Sequence, residues 1–115
     1  MAVRLYSVVI DSRDHASLAR WWAAALGWRL VYEDDNEAAL AQDEGSEPAL
    51  VFVPVPESKQ VKNRLHIDLA PDDQEAEVRR LLDLGAQRAD IGQGEQTWVV
   101  LQDPEGNEFC VLSAR

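Results

Sequence analysis

Short apolar runs along this chain are interrupted twice by stretches in which apolar residues recur at three- and four-residue intervals. Residues Arg4 to Ile10 are rich in Val, Leu, Ile and Tyr and predict a strand. Leu18, Trp21, Trp22, Ala25 and Leu26 then follow the i, i+3, i+4, i+7, i+8 spacing of one helical face, with Asp14 as N-cap and Gly27 as terminator. Trp28 to Tyr32, Ala38 to Ala41 and Ala49 to Val55 predict three antiparallel strands, joined by the acidic turn Glu33 to Glu37 and a Gly45-Ser46 turn. Pro54 to Gln60 has no period and predicts a connector.

The plan then repeats. Arg64 to Ala70 predicts a strand, and Pro71, Asp72 and Glu75 a capping-box-like helix start. Val78, Leu81 and Leu82 supply the apolar stripe of that helix, and Gly85 closes it. Three more strands are predicted at Gln87 to Ile91, Thr97 to Gln102 and Glu108 to Ser113, the last two joined by the Pro-Gly-Asn turn chemistry of Asp103 to Asn107. Placing Asp14 on Asp73 also places Ser7 on His66, and the helix ends Leu26-Gly27 and Leu84-Gly85 then agree with one residue deleted, which is the pattern of an internal duplication. The expectation is one domain of 115 residues with modules at about 1–58 and 59–115.

Composition narrows the function. Hydrophobic residues make up 46% and charged residues 28%, a balance that supports a folded core. The net charge of -10 argues against nucleic acid or an anionic membrane as partner, and Lys59, Lys62 and Arg64 are too few to reverse that. No export signal is read at the start, and no stretch approaches the roughly 20 apolar residues of a membrane span. A single cysteine, Cys110, allows no internal disulfide and suits a reducing compartment, so the expected location is the cytoplasm.

Five pieces of sequence carry a resemblance: the opening VVIDSRD, the helix ending ALGW, the Gly-Ala after the second helix, KNRLHIDL from Lys62 to Leu69, and WVVLQDPEGNEFCVL from Trp98 to Leu112. Together they resemble the glyoxalase/bleomycin resistance/dioxygenase superfamily, the vicinal oxygen chelate proteins, and within it the small glyoxalase-like domains. The resemblance implies an α+β fold of two βαβββ modules forming a half-open barrel with the helices outside. It also implies a homodimer and a cavity. In family enzymes that cavity holds a divalent metal chelating adjacent substrate oxygens, whereas other relatives bind a small molecule without chemistry.

Family metal ligands sit on the first and last strand of each module, so the resemblance directs attention to four places. Ser7 occupies the first, where a hydroxyl is a poor ligand for first-row ions. His66 occupies the matching place in the second module and is chemically suited. The last strand of the first module, Leu50 to Val55, offers no donor side chain in any register. Cys110 stands where the family pattern has Glu, seven residues after Asp103. His66 and Cys110 alone fall short of the three or four ligands of zinc sites, unless Asp11, Asp68 or Glu108 points inward. No tightly bound cofactor is expected, with His66 as the one matching metal position.

Strand alternation puts Arg64, His66 and Asp68 on one face and Leu65, Ile67 and Leu69 on the other, the apolar face packing on the second helix. Ser7 lies on the matching face of the first strand. Cys110 is expected buried, facing His66, and His15 solvated. Trp21 and Trp22 are expected in the core, while Trp28 and Trp98 are candidates for flat cavity walls suited to an aromatic ligand. The expected pocket is therefore His66, Asp68, Arg64, Ser7, Cys110, Trp98 and Trp28. Three functions stay open: a protein binding a small molecule without tightly bound metal, a metal-dependent lyase or dioxygenase using His66 with a nonstandard set, and a structural or partner-binding module whose cavity is filled.

Overall fold

The computed structural model describes residues 2–89 and 97–114, and contacts divide the chain into two units, Met1–Ser58 and Lys59–Arg115. In the first, β1 (Ser7–Ser12) is followed by α1 (His15–Leu26), β2 (Arg29–Glu33), β3 (Ala38–Ala41) and β4 (Ala49–Pro54). The sheet order is β1-β4-β3-β2, with β1 parallel to β4 and the other pairs antiparallel. In the second, β5 (Ile67–Leu69), α2 (Gln74–Leu84), β6 (Gln87–Arg88), β7 (Val99–Gln102) and β8 (Glu108–Val111) repeat the arrangement in the order β5-β8-β7-β6. Each unit is a βαβββ module, and the fold class is α+β as the family resemblance implies.

Both helices form for the expected reasons. The Asp14 carboxylate accepts from the Ser17 amide at 3.2 Å, and Gly27 takes the left-handed conformation (φ 67°) that stops α1 at low steric cost. Leu18, Ala19, Trp22 and Ala25 are buried on one face of α1, which packs against β3 and β4, where Leu40 and Phe52 are also buried. Trp21 stays partly exposed, its ring edge-on to Trp22 with centroids 5.1 Å apart, so only Trp22 meets the core expectation fully. In the second unit Val78 and Leu81 of α2 are buried, as are Leu101, Phe109 and Val111 of the sheet.

Several boundaries move, each for a local reason. β1 runs from Ser7 rather than Arg4, because its partner β4 starts at Ala49, whose amide bonds the Tyr6 carbonyl at 3.0 Å. The α2 cap is Asp73, whose carboxylate accepts from the Ala76 amide at 3.1 Å. The expected box at Asp72 and Glu75 is one residue out of register. We predict that Asp73→Ala destabilises the protein by about 1 kcal/mol in urea denaturation, since that amide then has no side-chain acceptor.

β5 spans only three residues, not seven. The register to β8 pairs Ile67 with Phe109 and Leu69 with Val111, and before Phe109 the Glu108 side chain takes the place of a ladder partner by bonding the Asn63 amide. Leu65 is consequently 81% exposed instead of packed on α2. β7 begins at Val99 and β8 ends at Val111. The strand expected at Gln87 to Ile91 is seen at Gln87–Arg88, with 90 and 91 outside the described residues. His15 is a further correction: it is half-buried and its Nε2 lies 2.9 Å from the Asp34 carbonyl, which ties α1 to the β2–β3 turn. Among the described residues no helix is long and apolar enough to cross a membrane.

Candidate functional site

The second sheet has one apolar face and one mixed face, and the mixed face carries a cleft of about 230 Å³. Its register explains the lining. Asp68 stands opposite Cys110 across the parallel β5–β8 pair, and Val100 stands opposite Cys110 across the antiparallel β7–β8 pair. Alternate residues share a face, so Glu108, Cys110 and Leu112 follow one another along β8 and its extension, with Trp98 and Val100 beside them. Lys62, Asn63 and His66 come from the segment leading into β5 and close one side. The wall of Trp98, Val100 and Leu112 is apolar, and the opposite side carries donors and acceptors.

At the polar side, His66 Nε2 lies 3.1 Å from Asp68 Oδ1, with both side chains about half exposed. The Cys110 thiol is buried and also hydrogen-bonded to Asp68. Burial, and then the charge and hydrogen bond of Asp68, push the thiol above its ordinary pKa, with Lys62 opposing weakly. Asp68 is thus the common partner of an imidazole and a thiol. A Cys-His nucleophile needs the imidazole to take the thiol proton. Here the thiol bonds the carboxylate instead and is held protonated, so the arrangement disfavours nucleophilic catalysis by Cys110.

The same three residues suit a cation better. One donor atom from each of His66, Asp68 and Cys110 lies within 4.8 Å of the others, close to the span of two ligand bonds of about 2.0–2.3 Å around a first-row ion. Nitrogen, carboxylate oxygen and sulfur form a complete three-ligand set for such ions. The residues present therefore fit a divalent metal. Asp68 is the member that makes the set sufficient.

Glu108 is the other organising group. Its side chain is 7% exposed, its Oε2 is 2.5 Å from the Lys59 ammonium, and its Oε1 accepts from the Asn63 amide at 2.9 Å. Burial works to raise the carboxyl, but Lys59 and the Asn63 amide outweigh it, and the group is held below its ordinary pKa of 4.5. This pair fixes the segment from Lys59 to Asn63 at the edge of the cleft. The turn that delivers β8 is equally well satisfied. Asp103, 4% exposed, accepts from the Glu105 and Asn107 amides at 2.9 Å each and from the Asn107 side chain, while Gly106 adopts φ 88°.

Of the expected pocket residues, the cleft brings together His66, Asp68, Cys110 and Trp98. Arg64 is exposed and not part of its lining, because the chain leaves the ladder before reaching it. Ser7 starts β1 and Trp28 lies between α1 and β2, both half-buried in the first unit. Lys62, Asn63, Val100 and Leu112 are not among the sequence candidates for the pocket, and Glu108 figures there only as an acidic residue that could point inward. The period-2 pattern of β8 carried the signal for Glu108 and Leu112, which share a strand face with Cys110.

Comparison with known proteins bears on the fold. Residues 7–112 match the family described as Glyoxalase-like domain. A glyoxalase/bleomycin resistance protein/dioxygenase family enzyme from Burkholderia phytofirmans PsJN superposes with a TM-score of 0.72 at 18% identity, covering 95% of this chain and 97% of that one. A bleomycin-binding protein complexed with bleomycin gives 0.64 at 19% identity, covering 99% and 100%. The trypanothione-dependent glyoxalase I of Leishmania major gives 0.68 at 16% identity, covering 97% and 87%. At these identities the structural likeness establishes the fold alone. No curated protein matches the sequence. With its family match running from β1 to the end of β8, the chain belongs to the glyoxalase-like domain family.

Proposed function

We propose that this protein binds a small, planar, partly polar molecule in the cleft of its second unit. The carrying observation is the cleft's division into an apolar wall of Trp98, Val100 and Leu112 and a polar side of Lys62, His66 and Asp68. An aromatic or heteroaromatic ring would stack on Trp98 while its substituents meet the imidazole and carboxylate. That a fold neighbour was solved with bleomycin supports small-molecule binding as the use of the fold. The open volume speaks against a module whose cavity is filled by its own side chains.

Ligand-observed NMR with a panel of phenols, catechols and nitrogen heteroaromatics tests this reading. Stacking energies imply that Trp98→Ala weakens each hit by about tenfold. His66→Ala should weaken only hits bearing a polar substituent. A panel without hits, or hits indifferent to both changes, would remove the reading. The same proposal takes the two units as modules of one cytoplasmic domain that forms a homodimer. Exposed Val9 on the edge strand β1, with exposed Leu5 and Tyr6 just before that strand, supports the dimer, and sedimentation equilibrium showing monomer only would overturn it.

A second reading is favoured by the convergence of His66, Asp68 and Cys110: a divalent-metal-dependent lyase or dioxygenase. The ion would polarise a substrate oxygen as a Lewis acid. Trp98 would orient the substrate ring, and Lys62 and Glu108 would be the further acid-base groups lining the cleft, Glu108 being engaged by Lys59. Elemental analysis of protein supplemented with nickel, cobalt, iron and zinc decides this. Stoichiometric metal lost in His66→Ala supports it, and metal-free protein under every supplement overturns it.

A further inference from the structure

We propose that His66, Asp68 and Cys110 form a thiolate-containing metal site built from a single sheet, selective for borderline or soft divalent ions such as zinc and cobalt over magnesium, manganese and calcium. This rests on the metal reading above and adds which residues bind and which ions they choose. Asp68 and Cys110 are paired directly across β5 and β8, so the backbone ladder itself sets their spacing. His66 is two residues before Asp68, and the two side chains already touch at 3.1 Å. One nitrogen, one carboxylate and one sulfur are a poor offer to calcium or magnesium, which demand six or more oxygens or near-octahedral oxygen and water shells. The same set suits zinc and its neighbours.

The geometry around Asp68 supports this assignment. Its carboxylate touches the His66 imidazole, and one donor atom from each of His66, Asp68 and Cys110 lies within 4.8 Å of the others, so a single ion can reach all three. On binding, the Cys110 S–H bond breaks, its proton passes to solvent, and a metal–sulfur bond forms. The imidazole binds through whichever ring nitrogen is unprotonated, and Asp68 exchanges its hydrogen bonds for coordination. Three protein donors leave a fourth position toward the cleft, where His66 and Asp68 are about half exposed.

The test is titration of the chelator-treated full chain with cobalt(II) alone, read by absorption. Stoichiometric binding should bring a sulfur-to-cobalt charge-transfer band in the near ultraviolet, displaced by zinc and unaffected by excess magnesium. Cys110→Ser should abolish the band, and Asp68→Asn should keep it while lowering cobalt affinity by about tenfold or more. Failure to bind cobalt would overturn both this proposal and the metal reading. Cobalt bound without the band, or a band that survives Cys110→Ser, would overturn the thiolate site and leave the metal reading standing. The wild-type spectrum decides between these even where a variant does not fold.

Discussion

Replacing Glu108 with alanine is expected to destabilise the protein by about 3 kcal/mol, at the lower end for a broken buried ion pair because Lys59 keeps some access to water. The substitution leaves an ammonium at a largely buried position with no counter-charge and an Asn63 amide with no acceptor, since both bonds end on this one carboxylate. Glu108→Gln keeps an oxygen for the amide and loses only the charge, so its expected effect is smaller, about 1–2 kcal/mol. Urea denaturation at neutral pH ranks the two. Equal effects would mean that the loss of charge accounts for the whole change and the bond to the Asn63 amide contributes nothing.

The pH dependence separates charge from shape. The folded protein holds Glu108 below its ordinary value of 4.5. A depressed carboxyl contributes stability that is fully present above the unfolded value and is lost as pH falls through the folded one. The difference in stability between wild type and Glu108→Gln should therefore be constant from neutral pH down to about 5 and shrink below that. A difference that grows on acidification would reverse the assignment.

Much of this fold is legible in the sequence because its determinants are local. Asp14, Gly27 and Gly85 terminate helices through groups within a few residues, and the turn at Asp103 to Asn107 is closed by its own first residue. The strand edges are less legible because a strand lasts only as long as its partner. Nothing within Arg64 to Ala70 says that the ladder to β8 begins at Ile67. That is decided by Glu108, whose partners Lys59 and Asn63 lie more than forty residues away in sequence. Arg64 was placed in the pocket on the assumption of a continuous strand, and the early departure from the ladder keeps it out.

The candidate site shows the same division. Alternation alone puts His66 and Asp68 on one face, and family likeness points to Cys110. The contact of Asp68 with both needs the Asp68–Cys110 register. That register is a long-range fact, and by bringing in Asp68 it turns the pair His66 and Cys110 into a set of three. The buried ion pair is hidden for a related reason: the sequence offers Glu108 only as an acidic residue that could point inward, and its partners Lys59 and Asn63 lie far from it along the chain.

The second large effect is expected at Asp103, which is not part of the cleft's lining but sets the strand that lines it. Its carboxylate satisfies the Glu105 and Asn107 amides and the Asn107 side chain, and its own amide bonds the Asn107 carbonyl at 2.9 Å. Asp103→Ala removes every acceptor of the side chain at a position 4% exposed, leaving two backbone donors in a turn with little water to replace it. A loss of about 2–3 kcal/mol follows from hydrogen bonds to a charged group. Asp103→Asn keeps one oxygen for both amides and should lose about half as much. Amide hydrogen exchange distinguishes a local from a general effect: Glu105, Asn107 and the β7–β8 ladder should lose protection before β1 to β4 do. Glu108 and Cys110 follow this turn by one and three residues, so loosening it displaces the carboxylate that clamps Lys59 and the sulfur opposite Asp68 together. Asp103→Ala should therefore weaken occupation of the cleft by more than its stability loss accounts for. Unchanged binding in the folded fraction would show instead that β8 is positioned by its ladder alone.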